Sequence, residues 1–427
     1  MMISKFKFIV IVIFIVMSAS IAVFKFVQAQ ILPSSKIIEY QSTPTPSPTP
    51  IPWTIFDKIS EGKKLLEHIA LFVGLKDIPY TEKRVSNSNG KISITDRTIK
   101  DPERQIALVL LNTQTGELSK IIVTKRGGEL IVPEGYEIEV IERASGIRWN
   151  YWATQYKVSR PENTIVILNK WPEPKNVTVK KVVTNSKGKK VTVNQTNRQI
   201  EYITYSAYND DLRRPELVAK GGEYIKATVE SAYQKLKERN VQSRALPGKN
   251  ISEVSQLKTT FFEKIPLMEQ TDLGEFLLDA EHMTDRVKVV LATNEIEAFA
   301  KTCNRVSACG WIQFTPGTYS AIRKSYSKAR LEPDFVKGAA DHTNSMMAAI
   351  LLYDYNLSNL IKNHGIKIAD DPRLEEYLAA AYNGSPKWVD KSLKAVIAGA
   401  GDWIGHLKNE TKGFIAKLRL IRDNNLL

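Results

Sequence analysis

The sequence predicts a multidomain α+β protein in which a small all-β domain precedes a C-terminal all-α domain. Two changes of pattern support this prediction. Between about 103 and 210, β-rich runs such as QIALVLLN, SKIIVTK, YEIEVIE and NTIVILNK alternate with turn residues. From about 222 onward, apolar residues recur with the spacing of helices. The chain has 427 residues, which is long enough for two or three domains of ordinary size.

The N-terminal segment predicts export. Lys5 and Lys7 precede an apolar run from Phe8 to Phe24, and positive charge before such a run favours a cytoplasmic N-terminus. The length of the run is compatible with both a cleaved signal peptide and a retained membrane anchor. In either case we expect the rest of the chain on the outer face of the cytoplasmic membrane, in the periplasm or in the cell wall.

The next segment, TPTPSPTPIP, is typical of an extended spacer that holds later domains away from a membrane. Residues 55–73 then have the apolar spacing of a short amphipathic helix, at Ile55, Ile59, Leu66, Ile69 and Val73. The predicted divisions are a signal peptide or membrane anchor at 1–29, a Pro/Thr/Ser-rich linker at 30–54, a short helix and polar linker at 55–100, a β-rich domain of unknown role at 101–215, a helical connector at 216–249 and an all-α domain at 250–427.

The run VTVKKVVTNSKGKKVTVN predicts a hairpin with Gly188 in its turn. A charged hairpin that resists edge-to-edge aggregation is the favoured interpretation of its many basic residues, and a patch for an anionic cell-wall polymer is the alternative. The basic residues of this region are Lys170, Lys175, Lys180, Lys181, Lys187, Lys189, Lys190 and Arg198.

The composition limits the partners. The net charge is +14, from 60 Lys and Arg against 46 Asp and Glu, which suits nucleic acid, anionic lipid or an anionic wall polymer. Predicted export argues against intracellular nucleic acid. Two cysteines and five histidines, without HExxH or paired CxxC motifs, do not indicate a metal site, and no cofactor is predicted.

Glu295 is the first candidate for a catalytic acid. Val287, Leu291, Glu295 and Ala298 share one face of a predicted helix, so Glu295 would project from an apolar stripe. Because an acid there is poorly solvated, we expect its pKa to rise, and such a carboxyl group can act as a general acid near neutral pH. Glu297 would face the solvated side of the helix and is the reserve candidate.

Two later motifs stand in a fixed order after Glu295: GWIQFTPGTY from Gly310 and LAAAYNGSP from Leu378. The three together resemble the lytic transglycosylase family, which has a lysozyme-like α-helical fold. Members show a catalytic Glu, a Gly-Leu-Met-Gln segment followed by Pro, and a later Ala-Ala-Tyr-Asn-Ala-Gly segment. Between the two motifs, NSMMAAILLY is similar to the family's Asn-led helix, and the resemblance covers about 280–395.

The spacing supports this alignment, since Glu295 precedes Gln313 by 18 positions, about the family's usual distance. Two departures stand against it. The family usually has Ser after the catalytic Glu, where this chain has Ile296. The family's aromatic residue follows that Glu by three positions, whereas Phe299 follows Glu295 by four.

The resemblance implies cleavage of peptidoglycan glycan strands between N-acetylmuramic acid and N-acetylglucosamine, with 1,6-anhydro ends. One carboxylate suffices, because the C6 hydroxyl of the sugar is the nucleophile, whereas most glycosidases need a second acid. We expect Asp341 and the Glu375–Glu376 pair to be solvated helix charges instead. The resemblance also implies site residues: Tyr382 would orient Glu295, and Gln313, Asn383 and Trp311 would bind the saccharide.

Cys303 and Cys309 are six positions apart and belong to no metal motif. In an exported protein, we expect them to form a disulfide beside the Gly310 segment. Three other functions stay open: a lysozyme-like hydrolase, a catalytically inactive cell-wall-binding module, and a cysteine peptidase or amidase. The last would use Cys303 or Cys309 as nucleophile and His342 as base.

Overall fold

A computed structural model of the chain describes residues 53–88, 91–142, 146–184, 186–258, 260–304 and 306–427. The predicted signal peptide or anchor at 1–29 and nearly all of the linker at 30–54 lie outside these residues. The described residues belong to one compact unit that begins at Ile51. None of the helices within these ranges is both long enough and apolar enough to cross a bilayer.

The N-terminal half of this unit is an antiparallel sheet, and the C-terminal half is helical, as predicted. The sheet runs in the order β4-β3-β2-β7-β8, with β1 also paired to β2, while β5 and β6 form a separate pair. The strands are β1 (Val73–Ser88), β2 (Lys91–Asn112), β3 (Leu118–Arg126), β4 (Glu129–Ile131), β5 (Glu137–Val140), β6 (Tyr156–Arg160), β7 (Thr164–Thr184) and β8 (Lys190–Tyr205).

The sheet is buried where helix α1 (Ile55–Leu66) packs on it. Ile55, Ile59 and Leu66 of α1 are buried, which confirms the predicted amphipathic helix as far as Leu66. Its predicted end is wrong, because Ile69 lies beyond the helix and Val73 begins β1. Residues 106–111 of β2 are buried without alternation, so both faces of the sheet are covered there. A Cβ atom at Gly62 would lie 2.8 Å from Leu168 Cδ1, so glycine lets α1 approach the sheet closely.

The sheet also extends into two long hairpins, β1–β2 and β7–β8. The β7–β8 hairpin has Gly188 in its turn at φ 72°, as predicted. The β1–β2 hairpin corrects the prediction of a polar linker up to residue 100, because residues 73–88 and 91–112 are strands. None of the side chains described at 73–83 and 93–101 is buried, so the alternation by which a strand is recognised is not required there.

The helical half contains ten α-helices among the described residues. They are α2 (Pro215–Glu238), α3 (Phe261–Glu269), α4 (Leu273–Leu278), α5 (Ala280–Asn294), α6 (Pro316–Ser325), α7 (Phe335–Ala340), α8 (His342–His364), α9 (Leu374–Gly384), α10 (Pro386–Ile397) and α11 (Asn409–Asp423).

Helix α2 lies inside this half and is more than the predicted connector. It packs against α5 and α8, and it buries Ile225, Ala232 and Leu236. A Cβ atom at Gly221 would lie 2.0 Å from the Lys288 carbonyl oxygen of α5, so only glycine permits this approach. The helical core therefore begins at 215 and not at 250.

The two halves are joined at the end of α5. The side chain of Asn294 accepts from Ser206 N at 2.8 Å and donates to Ser206 O at 2.9 Å, which ties it to the backbone just after β8. An Arg213–Asp285 ion pair, with 2.8 Å between Nε and Oδ2, lies nearby. These contacts fix the sheet against the helices along one edge.

Candidate active site

Glu295 does not occupy the position predicted for it. Helix α5 ends at Asn294, and Glu295 has a φ of 49° at the start of a 3-10 turn that includes Glu297. Both carboxylates are exposed. The prediction that Glu295 projects from an apolar helical stripe is therefore wrong, and the burial on which its role as an acid depended is absent.

A groove of about 370 Å³ lies between the two halves. It contains Gln313 and an acid that the sequence analysis did not single out, Glu269, whereas Glu295 and Glu297 are not among the described residues that line it. The lining residues are Arg148, Trp152 and Ala153 from the β half, and Glu269, Gln270, Thr271, Asp272, Glu275, Arg286, Phe299, Thr302, Cys303, Asn304 and Gln313 from the helical half.

Glu269 is the last residue of α3, a helix that is otherwise almost entirely buried. The residue keeps some exposure at the groove, but burial of its carboxyl group raises its pKa from the usual 4.5 to about 8. The Lys417 ammonium opposes this rise and Glu410 adds to it. Glu269 therefore has the property that the sequence analysis expected of Glu295.

Lys417 holds the end of α3 in place. Its Nζ donates to Met268 O at 2.7 Å, to Thr271 O at 2.6 Å and to Thr271 Oγ1 at 3.1 Å. These acceptors include backbone carbonyls at the helix C-terminus, where a cation is favourable. Burial lowers the pKa of Lys417, and the nearby Glu269 carboxylate acts in the opposite direction.

Gln270 ties Glu269 to the first of the two later motifs. Its Nε2 donates to Gly310 O at 3.1 Å and to Trp311 O at 2.8 Å. Gln313, in the same motif, has a φ of 52° and donates from Nε2 to Gly310 O at 2.8 Å. The end of α3 and the Gly310–Gln313 turn thus form one hydrogen-bonded unit beside the groove.

The charge of Glu269 acts on Tyr382, which comes from the second motif. Burial first, and then the Glu269 charge, raise the pKa of Tyr382 well above its usual value. Its hydroxyl donates to Ile312 O at 2.7 Å, so the hydrogen bond expected with Glu295 is not formed. Its ring contacts Phe314 edge-on and stacks on Phe414.

Trp311 and Asn383 have surroundings different from those predicted. Trp311 is fully buried, stacks on His342 with centroids 4.4 Å apart and donates from Nε1 to Ser345 Oγ at 2.8 Å. Its ring is a core group and has no face open to a sugar. Asn383 accepts from Thr411 Oγ1 at 3.0 Å and lines a second cavity instead of the groove.

The predicted disulfide between Cys303 and Cys309 is confirmed, with Cα atoms 4.2 Å apart. Neither sulfur is then a free thiol, and His342 is not a base for one of them. His342 is buried, and burial lowers its pKa to about 4. Its two ring nitrogens pair with the hydroxyl of Tyr224 and the carbonyl of Ala298. The geometry therefore does not support a cysteine peptidase or amidase.

Removing the disulfide should lower stability without moving Glu269. We expect Cys303→Ser/Cys309→Ser to lose about 2 kcal/mol of unfolding free energy, from loop-closure entropy of the unfolded chain. Urea unfolding of the oxidised protein, the reduced protein and the double variant measures this. The reduced protein should match the variant, and equal stability of all three would contradict the expectation.

The acids that we expected to be solvated helix charges form hydrogen bonds or ion pairs. Asp341 accepts from Asn344 N at 2.9 Å as the N-cap of α8. Glu376 is buried and forms ion pairs with Arg419 at 2.8 Å and Arg422 at 3.3 Å, while Glu375 pairs with Lys264 at 2.8 Å. The prediction is therefore wrong for Glu376, whose burial requires its arginine partners.

The groove itself holds two further acids, Asp272 and Glu275. Asp272 accepts from Gly274 N at 2.8 Å and from Glu275 N at 3.3 Å as the N-cap of α4. Glu275 pairs with Arg286 at 3.4 Å. Each thus has a structural role. Within the described ranges, no group of three or more His, Cys, Asp or Glu side chains is arranged to hold a metal ion.

The lysines of the β7–β8 hairpin are exposed as predicted, except for Lys170 near its base. Lys170 is buried and donates to the carbonyls of Leu66 and Glu67, at the end of α1. It stabilises that helix terminus and takes no part in a surface patch.

Comparison of the chain with protein-family models, with curated proteins and with solved structures finds no match in any of the three.

Proposed function

We propose that the protein is a peptidoglycan lytic transglycosylase with a lysozyme-like helical half, and that Glu269 rather than Glu295 is its acid and base. The observation that carries this proposal is the position of Glu269 beside both later motifs. Gln270 bonds the Gly310–Trp311 carbonyls, and Tyr382 lies within the electrostatic influence of Glu269.

The order of motifs in the family is kept by this assignment. Glu269 precedes the GWIQ segment and the AAYNG segment, as the catalytic Glu does in the family. The separation from Glu269 to Gln313 is more than twice that from Glu295, because α4 and α5 lie between them. The residue after Glu269 is Gln270, a polar residue at the position where the family usually has Ser.

The proposed reaction needs one carboxyl group twice. With a pKa of about 8, Glu269 is largely protonated at neutral pH and can protonate the glycosidic oxygen as the C1–O bond breaks. The resulting carboxylate then takes the proton of the C6 hydroxyl while O6 bonds to C1, which closes the 1,6-anhydro ring and restores the acid. The Lys417 ammonium stabilises the carboxylate between the two steps.

Gln313 would bind the sugar beside this acid, and the hydrogen bond between Tyr382 and Ile312 would hold Gln313 in position. The Gln313 side chain lines the groove, with Nε2 on Gly310 O and its amide oxygen available to a substrate donor. Tyr382 fixes the Ile312 carbonyl and hence the turn that carries Gln313. In this proposal Tyr382 positions the turn and does not bond the acid directly.

The product tests the proposal. Purified peptidoglycan treated with the protein should release fragments that end in 1,6-anhydromuramic acid, as measured by mass spectrometry. Fragments with reducing-end muramic acid would instead identify a hydrolase, with Asp272 as the first candidate for activating water, and Asp272→Asn would then abolish activity. Wall binding without any release would indicate an inactive binding module.

Action on the wall requires export. The apolar run after Lys5 and Lys7 predicts it, and the Cys303–Cys309 disulfide supports it, since structural disulfides are typical of oxidising compartments. An anionic wall polymer stays the alternative interpretation of the exposed lysines of the β7–β8 hairpin, beside the favoured one of a charged hairpin that resists edge-to-edge aggregation.

The raised pKa of Glu269 predicts a pH-dependent stability difference. The native protein holds this proton to about pH 8 and the unfolded chain to about 4.5, so the group favours unfolding increasingly as pH rises between these values. Glu269→Gln does not titrate. We expect its stability relative to wild type to increase from pH 5 to pH 8 and then level off, measured by urea unfolding. A constant difference would show that the carboxyl group is not protonated at neutral pH.

A further inference from the structure

The β7–β8 hairpin beyond Lys170 is an arm without a core. Its strands pair without a register shift as far as Thr184 and Lys190, whereas β2 pairs with β7 only up to Lys170. None of the side chains described at 175–184 and 186–200 is buried. At the usual rise of a strand, β7 extends about 45 Å beyond Lys170. The arm is therefore a long two-stranded ribbon, and neither of its faces is covered.

One face of this arm is apolar. Opposite residues of an antiparallel pair share a face and successive side chains alternate, so the register places five valines together: Val177, Val179, Val183, Val191 and Val193. We call this set the valine face. Val183 and Val191 are directly opposite each other and half-buried, as expected of a cross-strand pair. Val179 and Val193 stay 38% and 39% exposed, and pairing within the hairpin does not explain them.

The same arm carries positive charge only. Between 174 and 200 the sequence has seven basic residues and no acid. Lys181 belongs to the valine face, opposite Val193. A lysine stem can lie along apolar surface while its ammonium group stays in water. The basic residues are Lys175, Lys180, Lys181, Lys187, Lys189, Lys190 and Arg198. The arm thus combines an apolar face with a charge that no acid within it neutralises.

The β1–β2 hairpin adds to this charge. Because β2 and β7 are antiparallel, with Ala107 opposite Lys170, the two hairpins leave the sheet at the same end. Arg198 Nη2 donates to Gly74 O at 3.4 Å, which connects β8 to the start of β1. The β1–β2 hairpin has six basic residues against three acids between 75 and 100. The positive potential of the two hairpins therefore adds at one end of the sheet.

The combination of valines and lysines distinguishes between the roles open to this arm. Resistance to edge-to-edge aggregation accounts for the lysines but not for exposed valines, which favour aggregation. A soluble anionic polymer would pair with the lysines and leave the valines in water. An apolar face surrounded by cations is the combination that holds amphipathic helices in the interface of anionic bilayers.

We propose that the valine face docks on the anionic surface of a lipid bilayer. The valine side chains enter the boundary between headgroups and acyl chains, and the lysine ammonium groups pair with lipid phosphates. This inference concerns where the protein is held and does not depend on the proposed cleavage of glycan.

The length of the chain before the described residues permits this docking. Residues 30–52 would span about 70 Å at the spacing of polyproline II. Helix α1 has 12 residues, about 18 Å, and its end contacts Lys170. Val179 is nine positions further along β7, about 30 Å. The valine face is thus roughly 50 Å from Ile55, which leaves it within reach of the membrane that a retained anchor would cross.

The full chain, reconstituted into vesicles of phosphatidylcholine with or without phosphatidylglycerol, tests this inference. An environment-sensitive fluorophore is attached at Val179→Cys, on the valine face, or at Thr178→Cys, on the opposite face. The two native cysteines are joined in a disulfide, so the added thiol is the one that reacts. We expect a blue shift of the emission at Val179→Cys in anionic vesicles only, and none at Thr178→Cys. Salt at 1 M, where the Debye length is about 3 Å, should remove most of the shift.

Neutralising lysines of the arm should abolish the shift. In the Val179→Cys background, Lys180→Gln/Lys181→Gln/Lys190→Gln should lower the ratio of docked to undocked arms about a hundredfold, the combined effect of three lysines near an anionic surface. The matched control removes the same charge from exposed lysines of the helical half and should keep the shift. This control is Lys324→Gln/Lys328→Gln/Lys337→Gln.

Three results would overturn the inference: no shift in anionic vesicles, an equal shift at both labelled positions, or the same shift when soluble poly(glycerol phosphate) is added to neutral vesicles. The last would assign the arm to an anionic wall polymer. The outcome is separable from the proposed function, because cleavage is measured on purified wall without vesicles. Loss of docking in the lysine variant should leave the release of glycan fragments unchanged.

Discussion

Replacing Glu269 with Gln should lower the rate of glycan cleavage by about 10²–10⁴-fold, the usual contribution of a general acid–base group. Glutamine keeps the shape of the side chain but neither donates nor recovers a proton. The substitution also removes no hydrogen bond that the structure shows for Glu269, so the groove should keep its form. Release of soluble fragments from purified wall, together with sedimentation of the protein with the wall, separates lost chemistry from lost binding.

Glu295→Gln and Glu297→Gln are the matched controls for this experiment. Both side chains are exposed on the turn after α5 and lie outside the groove, so we expect each variant to keep most of its activity. Full activity in the Glu269 variant together with loss in the Glu295 variant would restore the alignment based on motif spacing. Activity in all three variants would refute the transglycosylase proposal.

Gly310→Ala should damage both the fold and the activity. Gly310 has a φ of 78°, and a Cβ atom there would lie 2.2 Å from the Ala339 carbonyl oxygen of α7. The backbone conformation alone costs a non-glycine residue about 1–3 kcal/mol, and relief of the clash requires the turn to move. Because Gly310 O accepts from both Gln270 and Gln313, that movement displaces two residues of the groove.

Gly317→Ala provides the comparison. Gly317 lies in the first turn of α6, and an added Cβ atom would meet no heavy atom within 4 Å. We expect this variant to match or slightly exceed the stability of the wild type, because alanine is the better helix former. Urea unfolding and wall cleavage should therefore separate the two variants, and equal behaviour would show that the Gly310 turn tolerates a side chain.

The parts of the fold that follow local rules could be predicted from the sequence. Helix α1, the strand that ends at Asn112 and the hairpin around Gly188 each have a periodic pattern or a turn signal of their own. The outer part of the β1–β2 hairpin has neither, since none of the side chains described at 73–83 and 93–101 is buried.

The candidate site shows the limit of motif spacing. The helical stripe through Val287 and Leu291 is real, but the helix ends at Asn294, whose side chain bonds the backbone of Ser206. Such a contact between distant parts of the chain leaves no local signal. The motifs at Gly310 and Tyr382 are recognisable in the sequence, whereas Glu269 is not, because α4 and α5 separate it from the Gly310 motif.

Glu269 did have one signal that could have been used. It follows FFEKIPLM, an apolar run with a single acid and a single base, and it precedes Gln270. An acid at the end of a buried helix lies where the helix reaches the protein surface, and little solvent surrounds its carboxyl group. The search for an acid at the end of an apolar helical run can be applied to any sequence, and it does not depend on the distance between motifs.

The groove has walls from both halves of the protein, and under the proposed function this determines the smallest fragment that we expect to be active. Arg148, Trp152 and Ala153 belong to the β half. A truncation that begins at 215 would keep Glu269, Gln313 and Tyr382 but would open one side of the groove and leave Asn294 without its partner at Ser206. Under the proposed function, the β half is thus part of the unit that would act on the glycan, and we expect the helical half alone to be inactive.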